Sequence, residues 1–231
     1  MTIKKTIAIA SAKGGVGKST LCSFLASSLS KAHKVGVLDA DVYGPNQDIL
    51  FGINDKNIEI DKSNKDKPYQ PKILDNISIN SLGFILDQNA AIWRGPMLSS
   101  AINQIYEQTN WGDLDYLLID MPPGTGDAYI TVCQKIIPDF VILISTLSQL
   151  SIADLKRSED VFENLNTKIL GIVLNNIHQN ENLGNFILDT DNTILDRLEF
   201  NKNFIDTSYP FKSLDIDLFL SNTLSAIYEH D

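Results

Sequence analysis

The chain has 231 residues, of which 43% are hydrophobic and 21% charged. This composition excludes collagen-like, low-complexity and wholly disordered classes, and the length suits one large globular domain or at most two small ones. The net charge is -10, and residues 180–231 carry 3 basic and 10 acidic side chains, so nucleic acid is not an expected partner.

Neither a membrane span nor export is expected. No apolar run approaches the roughly 18 residues that a span needs. Residues 4–12 resemble a secretory signal, but their apolar part is short and Lys13 follows at once, so a buried first strand explains them better. Cys22 and Cys133 cannot form a disulfide framework, and we therefore expect a reducing, cytoplasmic setting.

Short runs rich in Ile, Val and Leu predict buried β-strands. The runs are continuously apolar, as in a parallel sheet covered by helices on both faces. Helical periods lie between them, for example from Leu21 to Leu29 and from Ile152 to Leu165. The alternation predicts an α/β fold with a doubly wound, mostly parallel sheet and a ligand site beyond the carboxyl ends of its strands. The predicted strands are Thr6 to Ala10, Val35 to Leu38, Ile77 to Leu82, Tyr116 to Ile119, Phe140 to Ser145 and Ile169 to Leu174.

Two segments depart from this alternation. Residues 54–76 are crowded with Asp, Lys, Asn and Pro, which predicts a solvated excursion from the sheet. Asp217 to Tyr228 predicts a closing helix that packs on the sheet, since it lacks the basic face of a membrane anchor. No repeat or composition shift marks a boundary, so we expect residues 1–231 to form a single domain without an extra N-terminal domain.

A glycine-rich segment follows the first strand, and it reads Ala12-Lys13-Gly14-Gly15-Val16-Gly17-Lys18-Ser19-Thr20. Its glycines let consecutive backbone N–H groups turn toward phosphate oxygens, and the following helix adds the positive end of its dipole. Lys18 would bring a charge to the outer phosphates, and Ser19 a hydroxyl ligand for magnesium. Ala12 stands where the usual pattern has its first glycine. The strand-to-helix context nevertheless favours phosphate binding over a structural glycine-rich turn.

Acidic residues end two further predicted strands. Asp39 and Asp41 follow the second strand, where carboxylates can face magnesium and an attacking water. Asp120 ends a hydrophobic strand, the pattern of an acid that holds magnesium through its water shell. The alternative is that these residues are helix caps or solvated strand ends, and the preceding phosphate loop favours the magnesium role. The next loop can sense the outer phosphate and contains Pro123, Gly124 and Gly126.

Four motifs occur in a fixed order: Lys13-Gly14-Gly15-Val16-Gly17-Lys18-Ser19, Asp39-Ala40-Asp41-Val42-Tyr43-Gly44-Pro45, Trp93-Arg94-Gly95-Pro96-Met97 and Pro122-Pro123-Gly124-Thr125-Gly126-Asp127. Together they resemble the Mrp/ApbC iron-sulfur cluster carrier ATPases, which belong to the MinD/ParA class of P-loop NTPases with a deviant Walker A motif. The resemblance covers residues 7 to about 176. It implies a slow, switch-like ATP hydrolase that uses ATP and Mg²⁺ and dimerises on nucleotide. Its implied partners are iron-sulfur apo-proteins or assembly factors. A membrane is not an expected partner, because the predicted C-terminal helix lacks a basic face.

The same resemblance implies roles for single residues. Lys13 would be the signature lysine that reaches the phosphates bound by the partner subunit. Asp41 would position the hydrolytic water, and Asp120 would hold magnesium through water. Asn175, at the end of the last predicted strand, would read the adenine ring, with a plain strand-end turn residue as the alternative.

The cysteine pair of that family is missing from this sequence. Its members usually carry a CxxC shortly after the adenine-reading Asn, and two chains share one [4Fe-4S] cluster. Here the window reads Glu181-Asn182-Leu183-Gly184, whose side chains are poor replacements for thiolates. Cys22 and Cys133 look like small core hydrophobes rather than ligands. The resemblance therefore allows a cluster, but the sequence supplies no ligands for it.

Two other function classes stay open. A regulatory ATPase of the MinD/ParA type without a cluster would explain the missing cysteine pair, but it would need a basic tail or a basic surface. An ATP-dependent small-molecule ligase of related fold would keep the phosphate loop. We find no second substrate site in the sequence to support that alternative.

Overall fold

The computed structural model describes residues 2–42, 44–85, 95–124, 126–177, 190–199, 201, 208–211 and 215–230. In these ranges the strands are β1 Ile3–Ala10, β2 Val35–Asp39, β3 Glu59–Ile60, β4 Tyr69–Gln70, β5 Lys72–Leu74, β6 Ile77–Ser81, β7 Leu114–Asp120, β8 Phe140–Thr146, β9 Lys168–Asn175 and β10 Ile194–Leu198. The helices are α1 Lys18–Leu29, α2 Gln47–Leu50, α3 Leu82–Ile85, α4 Gly95–Gln108, α5 Asp127–Lys135, α6 Gln149–Asn164, α7 Ile216–Phe219 and α8 Ser221–Tyr228.

Within the described ranges, eight strands form one sheet in the order β10-β9-β8-β1-β7-β2-β6-β5. Neighbouring strands run parallel except at one edge, where β5 pairs antiparallel with β6. The strand order reverses around β1, since β2 lies beyond β7 on one side and β8 and β9 lie on the other. The predicted doubly wound, mostly parallel sheet is confirmed.

Helices cover both faces of this sheet. Successive side chains of a strand point to opposite faces, and Ala8 packs in one hydrophobic cluster while Ile9 packs in a second. The cluster around Ala8 includes buried side chains of α4, α5 and α6, and the cluster around Ile9 includes those of α1, α7 and α8. This burial explains why the strands read as continuously apolar.

Residues 54–76 contain three short strands that the sequence does not predict. Their side chains are mostly exposed or half-buried, as expected for a solvated excursion. However, β3 pairs antiparallel with β4, and β5 extends the edge of the main sheet. Strands of two or three residues are too short to show a period, so the prediction of an excursion from the sheet was wrong for β5.

The C-terminal segment forms α7 and α8 rather than one helix, with a break at Leu220. Ile216, Leu224 and Ile227 are buried in the cluster that covers the α1 face, which confirms the predicted packing on the sheet. Among the described residues, no helix is long and apolar enough to cross a membrane.

Candidate functional site

The carboxyl ends of neighbouring strands gather the predicted site residues at one edge of the sheet. Asp120 at the end of β7 lies beside Ile9 of β1 on one side and Asp39 of β2 on the other. The glycine-rich loop continues from β1 and leads into α1, which begins at Lys18. The parallel topology thus brings the loop and both acidic strand ends together.

The loop between β1 and α1 has the backbone conformation that its glycines permit. Gly15 and Gly17 have φ angles of +77° and +98°, in the left-handed region that favours glycine. A Cβ placed on Gly14 or Gly15 would meet no atom within 4 Å, so open space lies against the loop. A cavity of about 390 Å³ borders the loop and the start of α1, and Asp41, Asn46, Ile49, Leu50 and Pro123 complete its wall.

Lys18 lies among carboxylates at the floor of this site. Its Nζ donates a hydrogen bond of 2.7 Å to Oδ1 of Asp120 and lies 3.7 Å from Oδ2 of Asp41. Burial by itself lowers the pKa of Lys18, but the charge and hydrogen bond of Asp120, with the charges of Asp41 and Asp39, outweigh it and raise the pKa above its ordinary value. Lys18 is therefore held as a cation.

Asp39 is fully buried and surrounded by donors. Its Oδ2 accepts hydrogen bonds from Oγ of Ser81 at 3.0 Å and from the backbone N–H of Gln47 at 3.3 Å, and its Oδ1 accepts one from the N–H of Asp41 at 3.1 Å. Burial, followed by the charge of Asp120, raises the pKa of Asp39 to about 8. These two effects favour the neutral form of Asp39 more than in a solvated aspartate, whereas its three hydrogen-bond donors favour the carboxylate.

Gln47 belongs to the site, although no motif in the sequence points to it. The side chain is fully buried at the start of α2, and its Nε2 donates to Oδ2 of Asp120 at 2.8 Å and to the carbonyl oxygen of Ser19 at 3.1 Å. The only sequence signal is its place eight residues after Asp39, which does not distinguish a buried glutamine from a solvated one.

Lys13 lines the same cavity, and its Nζ donates to Oγ of Ser151 on α6 at 3.4 Å. Ser151 also contacts Oγ1 of Thr146 at 2.7 Å and Oγ of Ser148 at 2.8 Å. The long Lys13 contact is a weak hydrogen bond. The lysine is therefore placed at the mouth of the site with its head group only lightly held.

Asn175 ends β9 directly behind the phosphate loop. Its Nδ2 donates to the carbonyl oxygen of Val16 at 2.9 Å, and it leaves no room for a Cβ on Gly17, since that atom would come within 2.6 Å. Asn175 thus supports the loop in this structure. Its role toward an adenine ring stays a prediction.

The loop after β7 also reaches the site. Pro123 forms part of the cavity wall, and Gly124 has a φ of +87°. Gly126 is the residue before α5. This places the predicted switch loop beside the cavity. Two other motif positions, Trp93 and Arg94, lie outside the described residues.

The residues at this edge suit a magnesium-bound nucleotide. Magnesium prefers oxygen ligands and keeps several waters, and Ser19, Asp41 and Asp120 offer oxygen donors. Two structural features point the same way. Open space lies against Gly14 and Gly15, and among the described residues the buried Oε1 of Gln47 has no hydrogen-bond partner.

The cysteines do not suit an iron-sulfur cluster. Cys22 is fully buried on α1 and Cys133 is 4% exposed on α5, and the two pack in clusters on opposite faces of the sheet. Burial raises the pKa of both thiols, that of Cys133 to about 12, whereas clusters bind thiolates. Their prediction as core residues is confirmed. The window Glu181 to Gly184 lies outside the described residues.

Fold and site together define a P-loop NTPase of the MinD/ParA type. The structure matches MinD from Pyrococcus horikoshii complexed with Mg-ADP at a TM-score of 0.71 and 19% identity, over 98% of this chain and 96% of that one. The cell division ATPase MinD of Pyrococcus furiosus gives the same TM-score at 17% identity, over 99% and 100% of the two chains. At these identities the likeness shows the fold.

A closer match in sequence is a nucleotide-binding protein from Archaeoglobus fulgidus in complex with ADP. It is 30% identical, with a TM-score of 0.70 over 88% of this chain and 84% of that one. Residues 2–185 match the ParA family model described as NUBPL iron-transfer P-loop NTPase, and the chain belongs to that family.

Curated relatives carry the name iron-sulfur cluster carrier protein. The one from Rickettsia conorii is 46% identical over 175 residues, which is 75% of this chain and 53% of the relative. The one from Aquifex aeolicus is 38% identical over 192 residues, 82% of this chain and 50% of the relative. The chain therefore spans about half the length of these proteins.

Proposed function

We propose that this chain is a magnesium-dependent ATPase that dimerises on ATP and uses slow hydrolysis as a switch in iron-sulfur cluster assembly or delivery. The observation that carries the proposal is the position of Lys18. It closes a glycine loop with open space against it, lines the cavity, and pairs with Asp120 at 2.7 Å. A cation that is buried among carboxylates beside an anion-binding loop is suited to exchange those carboxylates for phosphate oxygens.

Nucleotide binding would rearrange the charges at this edge. When Lys18 turns to phosphate oxygens, Asp120 and Asp41 lose their cation. A magnesium ion would neutralise the phosphates and these carboxylates, and Ser19, Asp39, Asp41 and Asp120 would hold it directly or through water. The lysine and the ion thus take complementary positions, which supports Mg-ATP over a simple anion as the ligand.

Two residues at the cavity would carry the hydrolytic step. Asp41 would orient the attacking water from the cavity wall, which its position beside Lys18 allows. Lys13, lightly held by Ser151, would move to the phosphates of the partner subunit and stabilise the charge that develops there. Since Lys13 must cross to the partner, hydrolysis would depend on the dimer.

The iron-sulfur part of the proposal rests on family membership and on the names of the curated relatives. The cluster would be cargo for client apo-proteins or assembly factors. Cys22 and Cys133 are not its ligands in this proposal, because they are buried on opposite faces of the sheet. ATP hydrolysis would change the dimer state through the loop of Pro123, Gly124 and Gly126.

The buried cysteines also favour a second candidate, a regulatory ATPase of the MinD/ParA type that carries no cluster. We retain it because it needs no thiolate ligands. The regulatory ATPase would bind a partner other than an iron-sulfur client. The net charge of -10 argues against DNA or an anionic membrane as that partner. We further infer one ATPase domain over residues 1–231 and a reducing, cytoplasmic setting, in line with two free cysteines.

ATP turnover and sedimentation test the leading proposal. The wild-type protein is expected to hydrolyse ATP slowly with magnesium and to sediment as a dimer with a non-hydrolysable ATP analogue. Lys18→Ala is expected to lose both properties. Turnover that is unchanged in Lys18→Ala, or absent from the wild type under all magnesium concentrations, would contradict the proposal.

A further inference from the structure

The short helix α2 forms part of the wall of the cavity at the glycine-rich loop. It spans Gln47–Leu50, and both Ile49 and Leu50 line the cavity. Isolated helices shorter than about 12 residues are marginal in water, so a helix of one turn depends on its contacts with other elements. The elements that hold α2 therefore determine the shape of this wall.

Residues 208–211 hold the C-terminal end of α2, although they follow it by more than 150 positions in the sequence. The backbone N–H of Tyr209 donates to the carbonyl oxygen of Leu50 at 2.7 Å. The carbonyl oxygens in the last turn of a helix have no partner within the helix, so this donor satisfies one of them. The ring centroid of Tyr209 also lies 5.6 Å from that of Phe51, the residue after α2.

Phe211 packs between α2 and the helix that follows the glycine-rich loop. Its side chain is buried, and its ring centroid lies 5.1 Å from that of Phe24 on α1 and 6.5 Å from that of Phe51. The three rings belong to one hydrophobic cluster. Since α1 begins at Lys18, Phe211 contacts both helices that border the cavity.

The segment is also held from a side other than α2. The hydroxyl of Tyr209 donates a hydrogen bond to the carboxylate of Asp75, which lies between β5 and β6. Strand β6 pairs with β2, the strand that ends at Asp39. Residues 208–211 thus connect the edge of the sheet to α1 and α2, and they can transmit the position of one to the other.

We propose that Tyr209 and Phe211 are positioning residues of the nucleotide cavity, which hold α2 at the distance from α1 that a bound nucleotide requires. The inference rests on the proposed function, because it requires a nucleotide at the glycine-rich loop. Coupling between two sites is reciprocal. If the release of residues 208–211 weakens nucleotide binding by a given factor, bound nucleotide disfavours that release by the same factor. Core packing alone would stabilise the fold without this coupling.

The first test compares nucleotide affinity after two similar losses from the core. Calorimetric titration with ADP and magnesium is carried out on the wild type, Phe211→Ala, Phe211→Leu and Phe162→Ala, at a temperature where circular dichroism shows each variant folded. Phe162 is the matched control, because it is also buried but packs in the cluster on the other face of the sheet.

Phe211→Ala is expected to bind ADP about tenfold more weakly than the wild type. Phe211→Leu keeps a large apolar side chain and is expected to stay within about threefold of the wild type, as is Phe162→Ala. Wild-type affinity in Phe211→Ala, or an equal loss in Phe162→Ala, would overturn the inference and leave the proposed function intact. A wild type that binds no ADP would instead remove the proposed function itself.

The second test uses the wild type alone, so it also decides if an alanine variant does not fold. Hydrogen exchange of the Tyr209 amide is followed by NMR with and without saturating ADP and magnesium. Exchange is expected to slow about tenfold with ADP, matching the loss of affinity in Phe211→Ala. The amide of Thr223, which donates to Oδ2 of Asp196 at 2.8 Å, is the control and is expected to change less. Equal effects of ADP on the two amides, or none on Tyr209, would overturn the inference.

Discussion

The ammonium group of Lys18 lies 2.7 Å from Oδ1 of Asp120, although 102 positions separate the two residues in the sequence. Both side chains are buried, at 7% and 0% exposure. Coulombic attraction in such a site is much stronger than at a surface, and each charge depends on the other to offset its loss of water. The ion pair therefore stabilises the empty site. Nucleotide binding must replace it with contacts between Lys18 and the phosphate oxygens.

The stability of the nucleotide-free protein is expected to depend on Lys18. Lys18→Ala leaves Asp120 and Asp41 buried without this cation, and breaking a buried pair in this way costs about 3–5 kcal/mol. Urea denaturation at neutral pH without nucleotide measures the free energy of unfolding. Lys31→Ala is the control, because Lys31 and Asp217 form a pair at 62% and 48% exposure, which is worth at most about 1 kcal/mol. Equal losses in the two variants would contradict the buried pair.

Lys13 is expected to act in turnover rather than in nucleotide binding. Lys13→Ala should keep the ADP affinity of the wild type within about threefold and lower ATP turnover by about 100-fold or more. A loss of this size is typical when a donor to the charge that develops in the transition state is removed. Lys65→Ala, an exposed lysine in the excursion between β3 and β4, provides the control. ADP titration and steady-state turnover are measured on the same preparations. Turnover that survives in Lys13→Ala would exclude the proposed role.

The raised pKa of Asp39 predicts a pH dependence of stability. The pKa of Asp39 is 3.8 in its ordinary state and about 8 in the folded protein. Between these two pH values the folded protein keeps a proton that the unfolded chain releases. The stability from Asp39 is full below pH 3.8 and is lost as the pH rises toward about 8. The Asp39→Asn variant has no ionisable group at this position. Its stability should therefore fall less than that of the wild type as the pH rises.

Melting temperatures of the nucleotide-free protein in EDTA, from about pH 5 to pH 8, check this prediction. Asp39→Asn should gain stability relative to the wild type as the pH rises. Asp66→Asn, at an exposed position, should follow the wild type. A pH slope that is the same in the wild type and in Asp39→Asn would show that Asp39 is ionised in the folded protein.

The cysteines are expected to have no part in cluster binding. Cys22→Ala and Cys133→Ala, singly and together, should leave unchanged the iron and sulfide bound per chain after anaerobic reconstitution, because both thiols are buried on opposite faces of the sheet. Chemical iron and sulfide assays and the visible absorption spectrum measure this. A cluster that either substitution abolishes would overturn their assignment to the core.

Six of the eight strands of the central sheet could be predicted from the sequence, because they are buried on both faces and therefore read as unbroken apolar runs. Each of the six was located to within three residues at each end. The short strands β3, β4 and β5 have no comparable signal, and β10 was missed because Asp196 and Arg197 interrupt its apolar run. The helical period of apolar residues in the C-terminal segment also does not reveal that Leu220 divides it into α7 and α8.

Within the site, the loop and the acidic strand ends were predictable because glycine, lysine and carboxylate types are dictated by phosphate and magnesium chemistry. The pairing of Lys18 with Asp120 was not, since strand order is needed to know that β7 lies beside β1. Gln47 and Ser151 were missed for a related reason. Their positions depend on how α2 and α6 pack against the loop, which the residues themselves do not specify.

Calorimetric titration with ADP and magnesium measures nucleotide binding at this edge of the sheet. One nucleotide per chain is expected for the wild type and for Lys31→Ala. At least about tenfold weaker binding is expected for Lys18→Ala, because the buried ammonium is the cation of the phosphate loop. No binding to the wild type, or equal affinity in Lys18→Ala, would contradict the assignment of this edge of the sheet as a nucleotide site.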